Sequence, residues 1–241
     1  MKRSKFTGLL FGAAAAFFLA SCGGRGSNEQ TNTDTTSAVT PPANTIDTTP
    51  QNTMTVIHRV ANFAKWKASY DTYDSMRSAN GVHSFVVARG FTDSNMVMVV
   101  VKVDDMAKAK AFAKDASLKK AMQKGGVTGP ATISFTMDTW RDTAFLSQDI
   151  LRAKTTFTVK DWDAWLKVYE DGMQERTDNG IKVKVISHDA DDDKKVSLIT
   201  ALVDTAKAFA YYKSDALKKR REAGGVTGEP DRFLFKIVAR Y

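Results

Sequence analysis

Gly125-Gly126-Val127-Thr128-Gly129 and, 99 residues further on, Gly224-Gly225-Val226-Thr227-Gly228 are the same five residues in the same order. At that offset the neighbours also match without a gap. Phe63-Ala64-Lys65-Trp66 falls on Trp162-Asp163-Ala164-Trp165, Tyr70 on Tyr169, and Asn80-Gly81 on Asn179-Gly180. Asp105 falls on Asp204, and Leu118-Lys119-Lys120 on Leu217-Lys218-Lys219. The chain is a unit and its copy, 54–140 and 153–241, joined by a linker at 141–152.

Each unit carries the same order of local signals. An alternating run, Met54–Val60 in the first unit, predicts a strand. Asn62 and Asp161 are N-cap residues ahead of aromatic stripes at helical spacing (Phe63, Trp66, Tyr70, Tyr73; Trp162, Trp165, Tyr169), which read as core packing. Asn80-Gly81 and Asn179-Gly180 supply the left-handed residue that closes a helix. Two strands joined by a polar turn follow, Val82–Phe91 with Met96–Val103, and Ile181–His188 with Val196–Val203. Asp105 and Asp204, then Asp115 and Ser214, cap two further helical segments that end at the repeated glycines. A last strand covers roughly 131–137, and 232–239 in the copy.

The order β-α-β-β-α-β is the ferredoxin-like pattern of an α+β fold. With the segment Leu-x-x-x-(Met/Arg)-x-x-Gly-Gly-Val-x-Gly before the last strand, it resembles the dimeric α/β-barrel superfamily, which includes antibiotic-biosynthesis-monooxygenase-like domains. The resemblance implies that two ferredoxin-like sheets pair into one barrel, here within a single chain. A monomer is therefore expected, and an isolated 54–140 piece should self-associate through its bare sheet face. The resemblance also brings a cofactor-independent oxygenase as an alternative function. It does not carry heme: Asn62 reads as a cap and Trp66 as core, and no histidine lies in an expected helix.

The N-terminus sets the compartment. Lys2, Arg3 and Lys5 precede an apolar run, Leu9–Ala20, too short to span a bilayer. Leu19-Ala20-Ser21-Cys22 then resembles the lipobox of bacterial lipoproteins, which implies a signal peptide at 1–21 and acyl chains on Cys22. Cys22 is the only cysteine, so a monomer has no disulfide. Residues 22–53, rich in Thr, Ser, Asn and Pro, read as a disordered tether that holds the folded part on the order of 30 Å from the lipid. The expected location is the cell envelope, the outer membrane facing the periplasm. Removing Lys2, Arg3 and Lys5 lowers the formal charge from +8 to +5. Such a balance at an anionic membrane needs no nucleic acid.

Candidate chemistry is sparse. No nucleophile–base pair, zinc motif or phosphate loop is present. The acidic turn at Asp189–Asp193 lacks the glycine and terminal glutamate of a calcium loop, having Lys194 and Thr200 there, so no metal or other cofactor is expected. Position-by-position comparison of the copies singles out the second strand. Its presumed inner face carries His83, Phe85 and Arg89 in one unit and Lys182, Lys184 and His188 in the other. These six could bind a small acidic or aromatic molecule, with binding stronger as pH falls from about 7.5 to about 5.5, where free imidazole gains its proton. Charged residues that protect an edge strand are the other reading of the same positions. A non-catalytic binding or interaction module is the leading expectation.

Overall fold

The structure, a computed structural model, describes residues 44–241. The expected signal peptide at 1–21, Cys22 and the expected tether as far as 43 lie outside the described residues. In chain order the elements are β1 (Ile46–Asp47), β2 (Gln51–Val60), α1 (Phe63–Thr72), α2 (Asp74–Ala79), β3 (Val82–Gly90) and β4 (Met96–Val103). Then come α3 (Met106–Ala113), α4 (Ala116–Lys124) and β5 (Val127–Asp142). The copy supplies β6 (Arg152–Val159), α5 (Trp162–Asp171), α6 (Met173–Asp178), β7 (Ile181–Asp189), β8 (Lys195–Leu202), α7 (Thr205–Tyr212), α8 (Asp215–Ala223) and β9 (Val226–Arg240).

The duplicated caps form as their chemistry requires. Asn62 and Asp161 accept from the backbone N–H of Lys65 and Ala164, Asp105 and Asp204 from Lys108 and Lys207, and Asp115 and Ser214 from Ser117 and Leu217. In the repeated glycine stretch, Gly126 and Gly225 take φ of 82° and 67°. The carbonyls of both then accept from Ala61 and Lys160, tying the end of α4 or α8 to the corner that follows β2 or β6. Only glycine adopts that backbone without steric cost.

The strands run β5-β2-β4-β3-β9-β6-β8-β7, and β5 pairs with β7 to close the ring; β1 lies outside it, on β5. Two seams join the units, and they are one set of pairs repeated. Val86↔Arg240 to Gly90↔Phe235 make the first. Arg141↔Val185 to Thr136↔Asp189 make the second. The units therefore meet through strand edges, not through a bare sheet face. β5 is longer than the 131–137 expected because it serves both β2 and β7. This also moves the unit boundaries. Residues 46–53, expected in the tether, are held by β1 and the start of β2, with Arg141 donating to Asp47 at 2.6 Å and to the carbonyl of Thr49 at 2.7 Å. The Arg141 hydrogen bond draws Asp47 down to about 2.

An eight-stranded ring is just wide enough for side chains to fill. One part of the lumen is apolar, built of Val86, Ala88, Met98, Phe235 and Ile237. Elsewhere it is polar: Thr53 Oγ1 lies 2.8 Å from Thr136 Oγ1 and 3.3 Å from Asp138 Oδ1, and Lys154 Nζ donates to Ser197 Oγ at 2.9 Å. The copies have exchanged character at matching positions, since Thr136 and Asp138 fall on Phe235 and Ile237, and Met98 on Ser197. Burial pushes Asp138 up to about 6, against the opposing pull of Arg141, Thr53 and more distant lysines. Burial likewise brings Lys154 down to about 8, partly offset by Asp231 and Asp138.

Two outcomes follow from closure and from the lumen. Because both seams are filled within one chain, residues 44–241 are expected to be monomeric; light scattering that shows an obligate dimer would mean that the seams are exchanged between chains. Asp138 keeps its proton in the folded state to about pH 6 but loses it near 3.8 when unfolded. Its contribution to stability is thus complete below about 3.8 and lost as pH rises through 6. Asp138→Asn should flatten that slope and raise stability at pH 7 by up to roughly 3 kcal/mol, as measured by urea unfolding at pH 4.5 and 7.

Candidate functional site

The six residues expected to form one site do not meet. β3 and β7 stand four places apart in a ring of eight, on opposite sides of the barrel. Each also carries a bulge, between Ser84 and Val86 and between Val183 and Val185. A bulge adds one residue, so the side-chain alternation reverses beyond it. Phe85 stays with the lumen cluster, Lys102 Nζ lying 4.8 Å from its ring centre, and His83 pairs with Asp104 at 2.8 Å. Arg89 is turned to the helix side, over the ring of Phe63 at 4.4 Å. In the copy, Lys182 is exposed and Lys184 is tied to Asp142 at 2.9 Å and to the carbonyl of Ala144 at 2.7 Å. His188 faces outward against Trp162, ring centres 4.9 Å apart. Neither strand is a sheet edge, because β9 and β5 pair with them.

The space that does converge lies between sheet and helices, once in each unit. In the second unit the stripe on α5 stacks Trp165 on Tyr169, ring centres 4.9 Å apart. Below it is a cavity of about 70 Å³ lined by Tyr169, Arg176, Thr200, Tyr211, Tyr212, Arg220, Arg221 and Arg232 among others. Four polar atoms on these side chains are buried with no hydrogen-bond partner: Tyr169 Oη, Thr200 Oγ1, Tyr211 Oη and Arg232 Nε. Tyr169, Thr200 and Tyr211 are 7%, 5% and 4% exposed. Leaving such groups unpaired costs about 1–3 kcal/mol each.

The charges are as lopsided as the hydrogen bonds. Arg220 pairs with Glu175, its Nε donating at 2.9 Å. Among the described residues, Arg176, Arg221 and Arg232 form no salt bridge. Arg176 donates to the carbonyl of Tyr169 at 2.6 Å and lies over that residue's ring at 3.5 Å. Burial and the neighbouring Arg232 both weaken the charged form of Arg221. Tyr169 is pushed up to about 12 by burial, so its hydroxyl keeps the proton it could donate. Glu229 partly restores the charge of Arg221, and Glu175, already paired with Arg220, lies near Arg176 and Tyr211. Three cations outside any described salt bridge, two tyrosine hydroxyls and a threonine hydroxyl can together receive an anion.

The first unit shows what the cleft looks like without them. Thr200, Tyr211, Tyr212, Arg220, Arg221 and Arg232 fall on Val101, Phe112, Ala113, Ala121, Met122 and Ile133. The corresponding cavity, about 80 Å³, has one arginine where the second has four, with Ser69, Tyr70 and Tyr73 among its polar residues. Its arginine, Arg77, is paired with Asp74 at 3.0 Å, though its Nε is buried without a partner. His58 also lines it, with neither ring nitrogen partnered. Its ring centre is 5.5 Å from that of Trp66, and burial draws it down to about 4. The sequence comparison overlooked this contrast because it followed the second strand alone. The signal was present in α7, α8 and β9, where small or apolar residues of one copy are tyrosine or arginine in the other.

No family model matches the chain, and no curated protein matches it. Solved structures do. A proposed monooxygenase of Fusobacterium nucleatum subsp. nucleatum aligns over 79% of this chain and 93% of its own, with a TM-score of 0.51 at 13% identity. An anthrone oxidase-like protein aligns over 80% and 94%, with a TM-score of 0.54 at 14% identity. At such identity the likeness is one of fold, and the ring order and paired seams agree with it: this chain has the ferredoxin-like, dimeric α/β-barrel fold, with both halves in one polypeptide.

Proposed function

We propose that the protein is a lipid-anchored envelope component that binds a small carboxylated molecule in the cleft of its second unit, without acting on it chemically. The observation that carries the reading is the set of four unpartnered polar atoms around a cavity where three of the four arginines, Arg176, Arg221 and Arg232, form no described salt bridge. A carboxylate would supply acceptors for Tyr169, Thr200, Tyr211 and Arg232 and compensate charge at once. Nothing in the cleft pairs a nucleophile with a base, which favours binding over turnover. The anchor is inferred from Cys22, and no described helix is long and apolar enough to cross a membrane.

A second reading follows the names of the similar proteins: oxygenase chemistry without a cofactor, in the first unit's cleft beside His58 and Trp66. An imidazole held near 4 is a weak general base at neutral pH, so the binding reading stands ahead. Oxygen uptake with an anthrone that disappears in His58→Phe, the residue type of the copy at Phe157, would reverse that order.

Binding is tested by native mass spectrometry of the protein as purified and by thermal-shift titration with benzoate and short alkyl carboxylates. A carboxylate should raise the melting temperature, and Arg176→Met with Arg232→Ile should weaken it roughly 10- to 100-fold, as loss of hydrogen bonds to a charged group does. The dependence on pH between about 5.5 and 8 should be flat, because arginine stays charged and no histidine lines this cavity. An unchanged response in the double variant would reject the site. Without ligand, Thr200→Val and Tyr211→Phe should each stabilise the fold by about 1 kcal/mol, since each removes an unpaired buried hydroxyl. Urea unfolding that shows either variant less stable by that amount would mean the hydroxyls are already satisfied.

A further inference from the structure

The cavity of the second unit continues outward. Arg232 and Tyr212 line it and also line a groove of about 450 Å³ whose other walls are Phe209, Lys213 and Leu234. The guanidinium of Arg232 lies 3.7 Å from the ring centre of Tyr212, so a stacked pair divides the two spaces. Phe209, Tyr212 and Leu234 are partly buried against an apolar cluster that includes Leu151, Leu202 and Tyr211. The pair has no counterpart in the first unit, where the two positions are Ile133 and Ala113, and Phe209 is replaced by Lys110.

We propose that the ligand is an amphipathic acid that occupies both spaces, with its carboxylate in the inner cavity and an elongated apolar body between Phe209 and Leu234. This rests on the anion-binding reading of the inner cavity. About 70 Å³ holds a head group and little more. Arg176, Arg220, Arg221 and the unpartnered hydroxyls line the inner cavity alone, whereas the apolar Phe209 and Leu234 line the groove alone, beside Lys213. An acid with an apolar body would set its head among the first and its body against the second. Arg232 stands at the junction: its guanidinium now lies on the ring of Tyr212, and its unpartnered Nε can donate to the head group once the two separate. Tyr212 and Arg232 must part for an uninterrupted chain to lie across both spaces, and both are side chains on the rims of the groove, free of any described salt bridge.

The test is calorimetric titration of the full-length chain with straight-chain carboxylates from butanoate to dodecanoate, each below its micelle concentration, with decanol as the uncharged control. Each added methylene should tighten binding about three- to fourfold until the groove is filled, the transfer value of a buried methylene. Phe209→Lys, the residue of the first unit, should flatten the series while leaving butanoate within twofold of wild type. Should that variant fail to fold, Leu234→Thr serves the same comparison. Short acids that bind with no dependence on length would overturn the extended site and leave the anion site standing. Decanol binding as tightly as decanoate would overturn the amphiphile by removing the role of the head group. If no acid of any length binds, the anion reading falls and the extension with it.

Discussion

The structure depends on the closure of its sheet. A ferredoxin-like sheet has two edges, and in this chain the second and fourth strands of each unit supply them. Left open, such edges pair with whatever strand they meet. Pairing β3 with β9 and β5 with β7 consumes all four at once. One face of every strand then belongs to the lumen and the other to a helix-covered cleft. The barrel is thus the reason that clefts exist, and also the reason that there are two of them with matched geometry.

Matched geometry with unmatched chemistry is what the duplication has produced. In the lumen, polar and apolar residues have traded places across the pseudo-twofold axis, so that Asp138 and Thr136 face one way and Ile237 and Phe235 the other. In the clefts the divergence runs both ways: the first unit has Val101, Phe112 and Ile133 where the second has Thr200, Tyr211 and Arg232, but also His58 and Ser69 where the second has Phe157 and Val168. Core packing alone favours Val101, Phe112 and Ile133, because Thr200 Oγ1, Tyr211 Oη and Arg232 Nε in the second unit are buried without a hydrogen-bond partner. Six positions that differ in this way from the first unit, on four separate elements, converge on one cavity.

The fold was legible because its determinants are local. Caps at Asn62, Asp105 and Asp115, glycines at 81 and 126 and the stripe of Trp66 and Tyr70 each act within a turn or two of chain, and duplication printed each of them twice. The candidate site was not legible by the same means. Alternation along β3 was followed through Phe85 to Arg89, but one inserted residue at the bulge reverses it, and that insertion has no local signature in Ser84-Phe85-Val86. Strand adjacency was the other missing quantity. His83 and Lys182 align in sequence, yet equivalent residues of a two-fold barrel lie on opposite walls, so equivalence argued against contact and not for it.

The helix side shows the same limit from another direction. Arg220 and Arg221 belong to a run of bases, Lys218-Lys219-Arg220-Arg221, that reads as one solvated face. On a helix, consecutive residues point about 100° apart, so such a run must cover several faces and cannot all be solvated in a helix that packs on a sheet. Arg220 is turned to Glu175 and the carbonyl of Val168, and Arg221 toward Arg232, while Lys218 and Lys219 stay outside. Arginine suits the inward places because its planar, weakly hydrated head can stack and donate in fixed directions where an ammonium would demand its water. The choice of arginine over lysine at 220 and 221, in a unit whose counterpart has Ala121 and Met122, is therefore explained by inward placement, at 220 by the pair with Glu175, and it is readable once the two copies are compared along their helices.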